Sequence, residues 1–108
     1  GGLRLLAVTS AKRVPVLPDV QTVAEAGYPE YAAGNWYGML LPANAARATV
    51  TALRNAALAA LGNADIARRL TDLGYVVVGD QPEEFAAHIR TEGKKWAAVI
   101  KAANIKEE

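Results

Sequence analysis

Proline placement constrains this chain more than any other feature. Four of its five prolines (Pro15, Pro18, Pro29 and Pro42) fall in its first 42 residues. A proline ring fixes φ, removes a backbone donor and clashes with a preceding helical turn, and the residue before it is driven toward extended conformations. Pro15 and Pro18 cannot lie inside a helix, so the stretch after Ser10 reads as an exposed connector, and Tyr28-Pro29-Glu30-Tyr31 reads as extended or turning. Short apolar runs lie between these breaks. Leu3-Arg4-Leu5-Leu6-Ala7-Val8-Thr9 is nearly continuous, carries a β-branched tail and ends at Ser10, which predicts a buried strand in a parallel sheet. Trp36-Tyr37-Gly38-Met39-Leu40-Leu41 stops at Pro42 and predicts a second strand, and Tyr75-Val76-Val77-Val78 predicts a third.

Helical signals alternate with these runs. Thr22-Val23-Ala24-Glu25 is a capping box, in which the Thr22 hydroxyl accepts from the Glu25 amide and the Glu25 carboxylate reaches back; with Gly27 as the stop, it predicts a helix of one to two turns. From Ala46 to Leu61, Val50, Leu53, Ala57, Leu58 and Leu61 recur at helical spacing. Gly62-Asn63 breaks the pattern, and Asp65 to Leu73 continues as a shorter helix closed by Gly74. A final helix is predicted to start with Asp80 as N-cap, Pro82 in the first turn and Glu83 and Glu84 near its positive end, and to run to about Ala103. Phe85, Ile89, Trp96, Val99 and Ile100 line one face of it, Trp96 as a core anchor whose indole N–H needs a partner. The tail from Ile105 to Glu108 is expected to fray. Strands alternating with helices indicate an α/β fold, with a parallel or mixed sheet flanked by helices.

At 108 residues the chain amounts to one domain at most, and 52% hydrophobic with 21% charged residues is enough to bury a core. Twelve basic against eleven acidic residues leave a net charge of +1, without the basic stripe a nucleic-acid binder would show. No apolar run approaches the ~20 residues that cross a bilayer. The absence of cysteine excludes disulfides, thiolate metal sites and cysteine nucleophiles. Three strands are few for an α/β domain, and the first two are separated by a long proline-rich excursion. The chain also opens on Gly1 and Gly2 directly before an apolar run. Both features predict a processed or truncated product whose missing strands lie upstream.

Catalysis finds little support. The single His88 sits among alanines and charges on the last helix, with no Gly-x-Ser-x-Gly elbow anywhere. There is no Gly-rich phosphate loop and no cluster at metal-ligand spacing, and Glu83 and Glu84, being adjacent on a helix, point in different directions. The reading is that the chain is not an enzyme and carries no cofactor.

Several segments together resemble one family. Leu6-Ala7-Val8-Thr9-Ser10-Ala11-Lys12-Arg13, then Leu17-Pro18-Asp19-Val20 and Thr22-Val23-Ala24-Glu25-Ala26-Gly27, are similar to the signature stretch of tripartite tricarboxylate transporter receptors, also called Bug proteins. Trp36-Tyr37-Gly38-Met39-Leu40-Leu41-Pro42 is similar to that family's aromatic-x-Gly strand, and Pro82-Glu83-Glu84-Phe85 with Glu92 and Trp96 to its closing helix. Two departures stand out: Gln21 replaces a usual second proline, and Asn44-Ala45-Ala46 replaces a usual Gly-Thr-Pro, which leaves Asn44 as the expected N-cap of the following helix.

The resemblance implies the C-terminal part of a periplasmic solute-binding receptor with a type II-like two-lobed fold, closing over a small carboxylate and delivering it to the transporter's membrane subunits. Residues 1–34 would end the second lobe and residues 35–108 would return into the first, so the long excursion would be a crossing between lobes. In open α/β sheets ligands sit beyond strand ends, which points to Thr9 and Ser10 and to Asn35, Trp36 and Tyr37 beside the crossing. Each has an ordinary alternative: strand-end capping for Thr9 and Ser10, hinge or core packing for Trp36 and Tyr37. Lys12 and Arg13 could meet an anion or serve as solvated loop charges. Glu92 with Lys95, and Arg68 or Arg69 near Asp65 and Asp72, read as helix-face pairs. A different class of function also fits an incomplete domain, namely an interaction module that self-associates through open sheet edges.

Overall fold

The computed structural model describes residues 2–106. The regular structure among them is three helices: α1 (Arg47–Leu61), α2 (Ala64–Asp72) and α3 (Pro82–Ala102). The chain divides into two compact units at Val77 and Val78. The first unit holds α1 and α2, which touch each other; the second holds α3.

The three expected strands do not form among the described residues. One isolated parallel bridge joins Val8 to Thr22: the Val8 amide donates to the Gln21 carbonyl at 2.9 Å, and the Val23 amide donates to the Val8 carbonyl at 3.0 Å. The reason is physical. A helix satisfies its own backbone, whereas a strand exists only through a neighbouring strand's donors and acceptors, and among the described residues no ladder forms beyond that one bridge.

The core expected from composition is likewise missing. Thr22, 2% exposed, is the only buried residue among those described, and no apolar residue is buried. Leu3 is 99% exposed, Tyr37 74% and Leu40 72%. Scattered exposed leucines are ordinary, but full burial of one such side chain stabilises a fold by about 1.5–3 kcal/mol, and this chain obtains that from none of its large apolar residues. Trp96, expected as a core anchor, is also exposed.

Residues 22–27 form a single helical turn closed at both ends. At its start the Thr22 amide donates to Glu25 Oε2 at 2.8 Å and the Glu25 amide donates to Thr22 Oγ1 at 3.1 Å, the predicted reciprocal cap. At its end the Gly27 amide bonds to the Ala24 carbonyl and the Tyr28 amide to the Val23 carbonyl, with Gly27 at φ +118°. This is the Schellman pairing, and it needs a left-handed residue at the position after the cap. Arg13 adds a tertiary tie: its Nε donates to Glu25 Oε2 at 2.9 Å and Oε1 at 3.2 Å, and Nη1 donates to the Pro18 carbonyl at 3.3 Å. The Thr22 amide first, and then Arg13, hold the Glu25 carboxyl below its ordinary value of 4.5.

Helix starts depart from expectation twice. The N-cap of α1 is Ala46, and it makes no side-chain cap. Asn44 instead sits at φ +68° in a turn closed by the Ala45 amide on the Pro42 carbonyl; a residue with positive φ at the third position makes this a type II turn, where Asn tolerates what other side chains resist. For α3 the N-cap is Gln81 rather than Asp80, and Glu84 Oε2 accepts from the Gln81 amide at 2.9 Å. The α2 start is sidechain-capped by Asn63, whose Oδ1 accepts from Asp65 and Ile66, while an Arg68–Asp65 pair at 3.2 Å runs along its face. Gly74 at φ +84° ends α2 by the same Schellman pairing, onto Thr71 and Leu70.

On α3, Glu92 accepts from Lys95 Nζ at 2.8 Å and from the Trp96 indole N–H at 2.9 Å. Lys95 first and Trp96 second lower the Glu92 pKa. Asn104 at φ +51° closes the helix, and the Ile105 amide reaches back to the Ile100 carbonyl at 3.1 Å, so that residue is tied rather than frayed. The rest of the expected fraying, at Glu107 and Glu108, lies outside the described residues.

Two outcomes follow for the turn. Thr22→Ala removes the cap acceptor and is expected to cost about 0.5–2 kcal/mol in urea unfolding, while Gly27→Ala forces an alanine to positive φ at about 1–3 kcal/mol; an unchanged midpoint in both would mean the turn is not held this way. For pH, a carboxyl whose folded pKa is depressed contributes stability above its unfolded pKa and loses it as pH falls through the folded value. The advantage of the native chain over Glu25→Gln is therefore expected to be constant above pH 4.5 and to vanish on acidification below it, as followed by unfolding midpoints across pH.

Candidate functional site

The bend at residues 9–12 is built from the bridge outward. With Val8 fixed by Gln21 and Val23, the Thr9 carbonyl accepts from the Ala33 amide at 2.8 Å. That bond brings the end of the first apolar run beside the segment that leads into Asn35, so two of the stretches expected to line a site are joined through their backbones. The Thr9 side chain is exposed. The Ser10 hydroxyl donates to the Lys12 carbonyl at 2.7 Å, so its proton serves the bend and is not offered outward. Among the described residues, the amides of Ser10, Ala11 and Lys12 donate to no protein acceptor. Unpaired amides at a bend are donors suited to an anion.

Asn35 and Trp36 are exposed, Trp36 at 43%. Tyr37 stands edge-on to Tyr75, with ring centroids 5.6 Å apart and planes at 73°, a favoured aromatic arrangement. A hydrogen bond with the Tyr37 side chain, and then its charge, raise the Tyr75 phenol above its ordinary value of 10.0. Tyr37 is thus engaged with the residue just past α2, whereas Thr9 and Ser10 belong to the bend.

Sequence reasoning missed two contributors. Arg13 is bound to Glu25 and Pro18 rather than being a solvated charge, and Tyr75 is an aromatic partner of Tyr37. No rule of helical or strand spacing relates Arg13 to Glu25 or Tyr37 to Tyr75; only the turn from Val8 to Val23 sets up the former. Among the described residues no three His, Cys, Asp or Glu side chains gather where a metal could bind, and no helix is long and apolar enough to cross a membrane. The arrangement offers hydrogen-bond donors and aromatic surface.

Comparison with known proteins gives the family. The family model of the tripartite tricarboxylate transporter family receptor, TctC, matches residues 1–105. The chain is 34% identical over 99 residues to a UPF0065 protein in the tcbD-tcbE intergenic region of Pseudomonas sp. strain P51, covering 91% of this chain and 30% of that protein. It is 29% identical over 106 residues to protein BugT of Bordetella pertussis, covering 98% and 32% respectively. Among solved structures it superposes on the periplasmic binding protein BugD with a TM-score of 0.79 at 34% identity, over 94% of this chain and 35% of that one. It superposes on R. palustris Rpa4515 with adipate with a TM-score of 0.78 at 35% identity, over 93% and 33%. The chain therefore spans about a third of the length of these relatives. With motifs, family model and backbone in agreement, this chain belongs to the tripartite tricarboxylate transporter receptor family.

Proposed function

We propose that this chain is the C-terminal part of a periplasmic receptor that captures a small carboxylate and passes it to the membrane subunits of a tripartite transporter. The observation that carries the reading is the family match along residues 1–105, joined to a bend whose amides at Ser10, Ala11 and Lys12 lack protein acceptors. A carboxylate needs donors, and amides already fixed by the fold supply them without ordering long side chains. That a similar structure contains adipate, a dicarboxylate, supports the ligand class. In this reading residues 1–34 end one lobe and residues 35–108 return into the other. The remaining two thirds of the receptor supply the neighbours that turn residues 3–9, 36–41 and 75–78 into strands of a parallel or mixed sheet. Thr9, Ser10, Asn35, Trp36 and Tyr37 face the ligand, Ser10 through its amide.

The exposure of Leu3, Leu5, Leu6, Met39 and Leu40 favours a second reading for the chain in isolation, an interaction module that dimerises through open edges. The mass of the isolated chain on size-exclusion chromatography separates the two: a strict monomer removes the second reading.

The receptor reading is tested by titrating adipate, succinate and citrate calorimetrically into the complete receptor. One-to-one binding of at least one of them is expected. Thr9→Val should weaken it by about fivefold, the scale of one neutral hydrogen bond, and Trp36→Ala by more. Wild-type protein that binds none of the three carboxylates would sink the receptor reading, and unchanged affinity in both variants would move the cleft wall away from these residues.

A further inference from the structure

The bend that carries the unpaired amides is held by a device that the proposed function does not by itself require. Glu25 Oε2 accepts two donors, the Thr22 amide at 2.8 Å and Arg13 Nε at 2.9 Å, while Oε1 takes a second, longer contact from the same Nε at 3.2 Å. The other end of the guanidinium is fixed on the Pro18 carbonyl at 3.3 Å. Arg13 shares a peptide unit with the Lys12 carbonyl, and that carbonyl is the acceptor for the Ser10 hydroxyl at 2.7 Å. An unbroken chain of contacts therefore runs from Thr22, the one buried residue among those described, through Glu25 and Arg13 to the Lys12 peptide and Ser10. On its other side the same bend is pinned by the Val8 bridge to Gln21 and Val23 and by the Thr9 carbonyl on Ala33.

We infer that Arg13 and Glu25 are positioning residues for ligand capture: their pair fixes the Lys12–Arg13 peptide and so sets the direction of the Ser10–Lys12 amides toward an anion. The inference rests on the receptor reading above and deepens it. Arg13 acts here through position, its Nε held by Glu25 and its Nη1 by the Pro18 carbonyl. Glu25 has two separable tasks. Its cap on the Thr22 amide needs only an acceptor, which glutamine also provides. Its hold on Arg13 needs the charge. Both side chains are 46% exposed, so the pair is expected to matter through geometry more than through raw strength.

The separation of tasks gives the experiment. In the complete receptor, with adipate as the probe, wild type is compared with Glu25→Gln, Arg13→Gln, the double variant and Glu25→Ala, each by calorimetric affinity and by urea midpoint. Glu25→Gln and Arg13→Gln are each expected to weaken adipate binding by about fivefold, the upper end for one exposed ion pair. The double variant should be no weaker than either single one, because both remove the same contact. The Glu25→Gln midpoint should stay nearer wild type than that of Glu25→Ala, which also loses the cap. Wild-type affinity in both single variants overturns the inference, as does a double variant whose loss is the product of the two. If wild type itself fails to bind adipate, succinate or citrate, the receptor reading falls and this inference with it, an outcome distinct from a binding receptor that is indifferent to the pair.

Discussion

The carboxylate of Glu25 is the point on which the first unit of this chain turns. One oxygen, Oε2, closes the Thr22 cap and receives Arg13. Remove it and the turn at 22–27 loses its start, the connector containing Pro15 and Pro18 loses its anchor, and the Val8–Thr22 bridge loses the rigidity of one of its sides. Because exposed ion pairs are weak singly, the strength of the junction comes from geometry: a reciprocal cap at one end, a Schellman closure around Gly27 at the other, and a guanidinium bridging two segments between them. Thr22, the only buried residue among those described, lies at its centre.

Elsewhere the chain divides by whether a segment can satisfy itself. The helices can. Asn63 caps α2, Gly74 and Asn104 close α2 and α3, and Glu84 supports the start of α3. The apolar segments cannot, since they need neighbouring strands for their amides and an opposing face for their side chains. The chain covers about a third of its relatives' length, its helices satisfy their own backbones, and its large apolar side chains are exposed among the described residues.

That division also explains what could be read from sequence. The capping box at Thr22 and Glu25, the Gly27 and Gly74 closures, the Glu92–Lys95 and Arg68–Asp65 pairs and the three helices are all local, written within a few residues, and the structure has them. Two helix starts differ from expectation because another local use wins: Asn44 takes a type II turn, and Gln81 sits at the capping distance from Glu84. The expected strands at residues 3–9, 36–41 and 75–78 rest on short apolar runs bounded by turn residues, and such runs do not state whether a neighbouring strand is present. Trp96 lies on the expected apolar face of α3 yet is exposed, while its need for an indole acceptor is legible and Glu92 meets it. Arg13 with Glu25, and Tyr37 with Tyr75, depend on how the chain folds back, which no spacing rule encodes. The family was legible because its motifs lie in order along the chain, each short and local.

In the receptor reading, binding of a carboxylate is a property of the completed receptor, with this chain supplying part of the cleft. The most direct measurement is calorimetric titration of adipate into the complete receptor and into the isolated 108-residue chain side by side. The account predicts saturable one-to-one heat from the complete receptor and none from the isolated chain. Equal affinity in the isolated chain would contradict it, by placing the whole site within these residues.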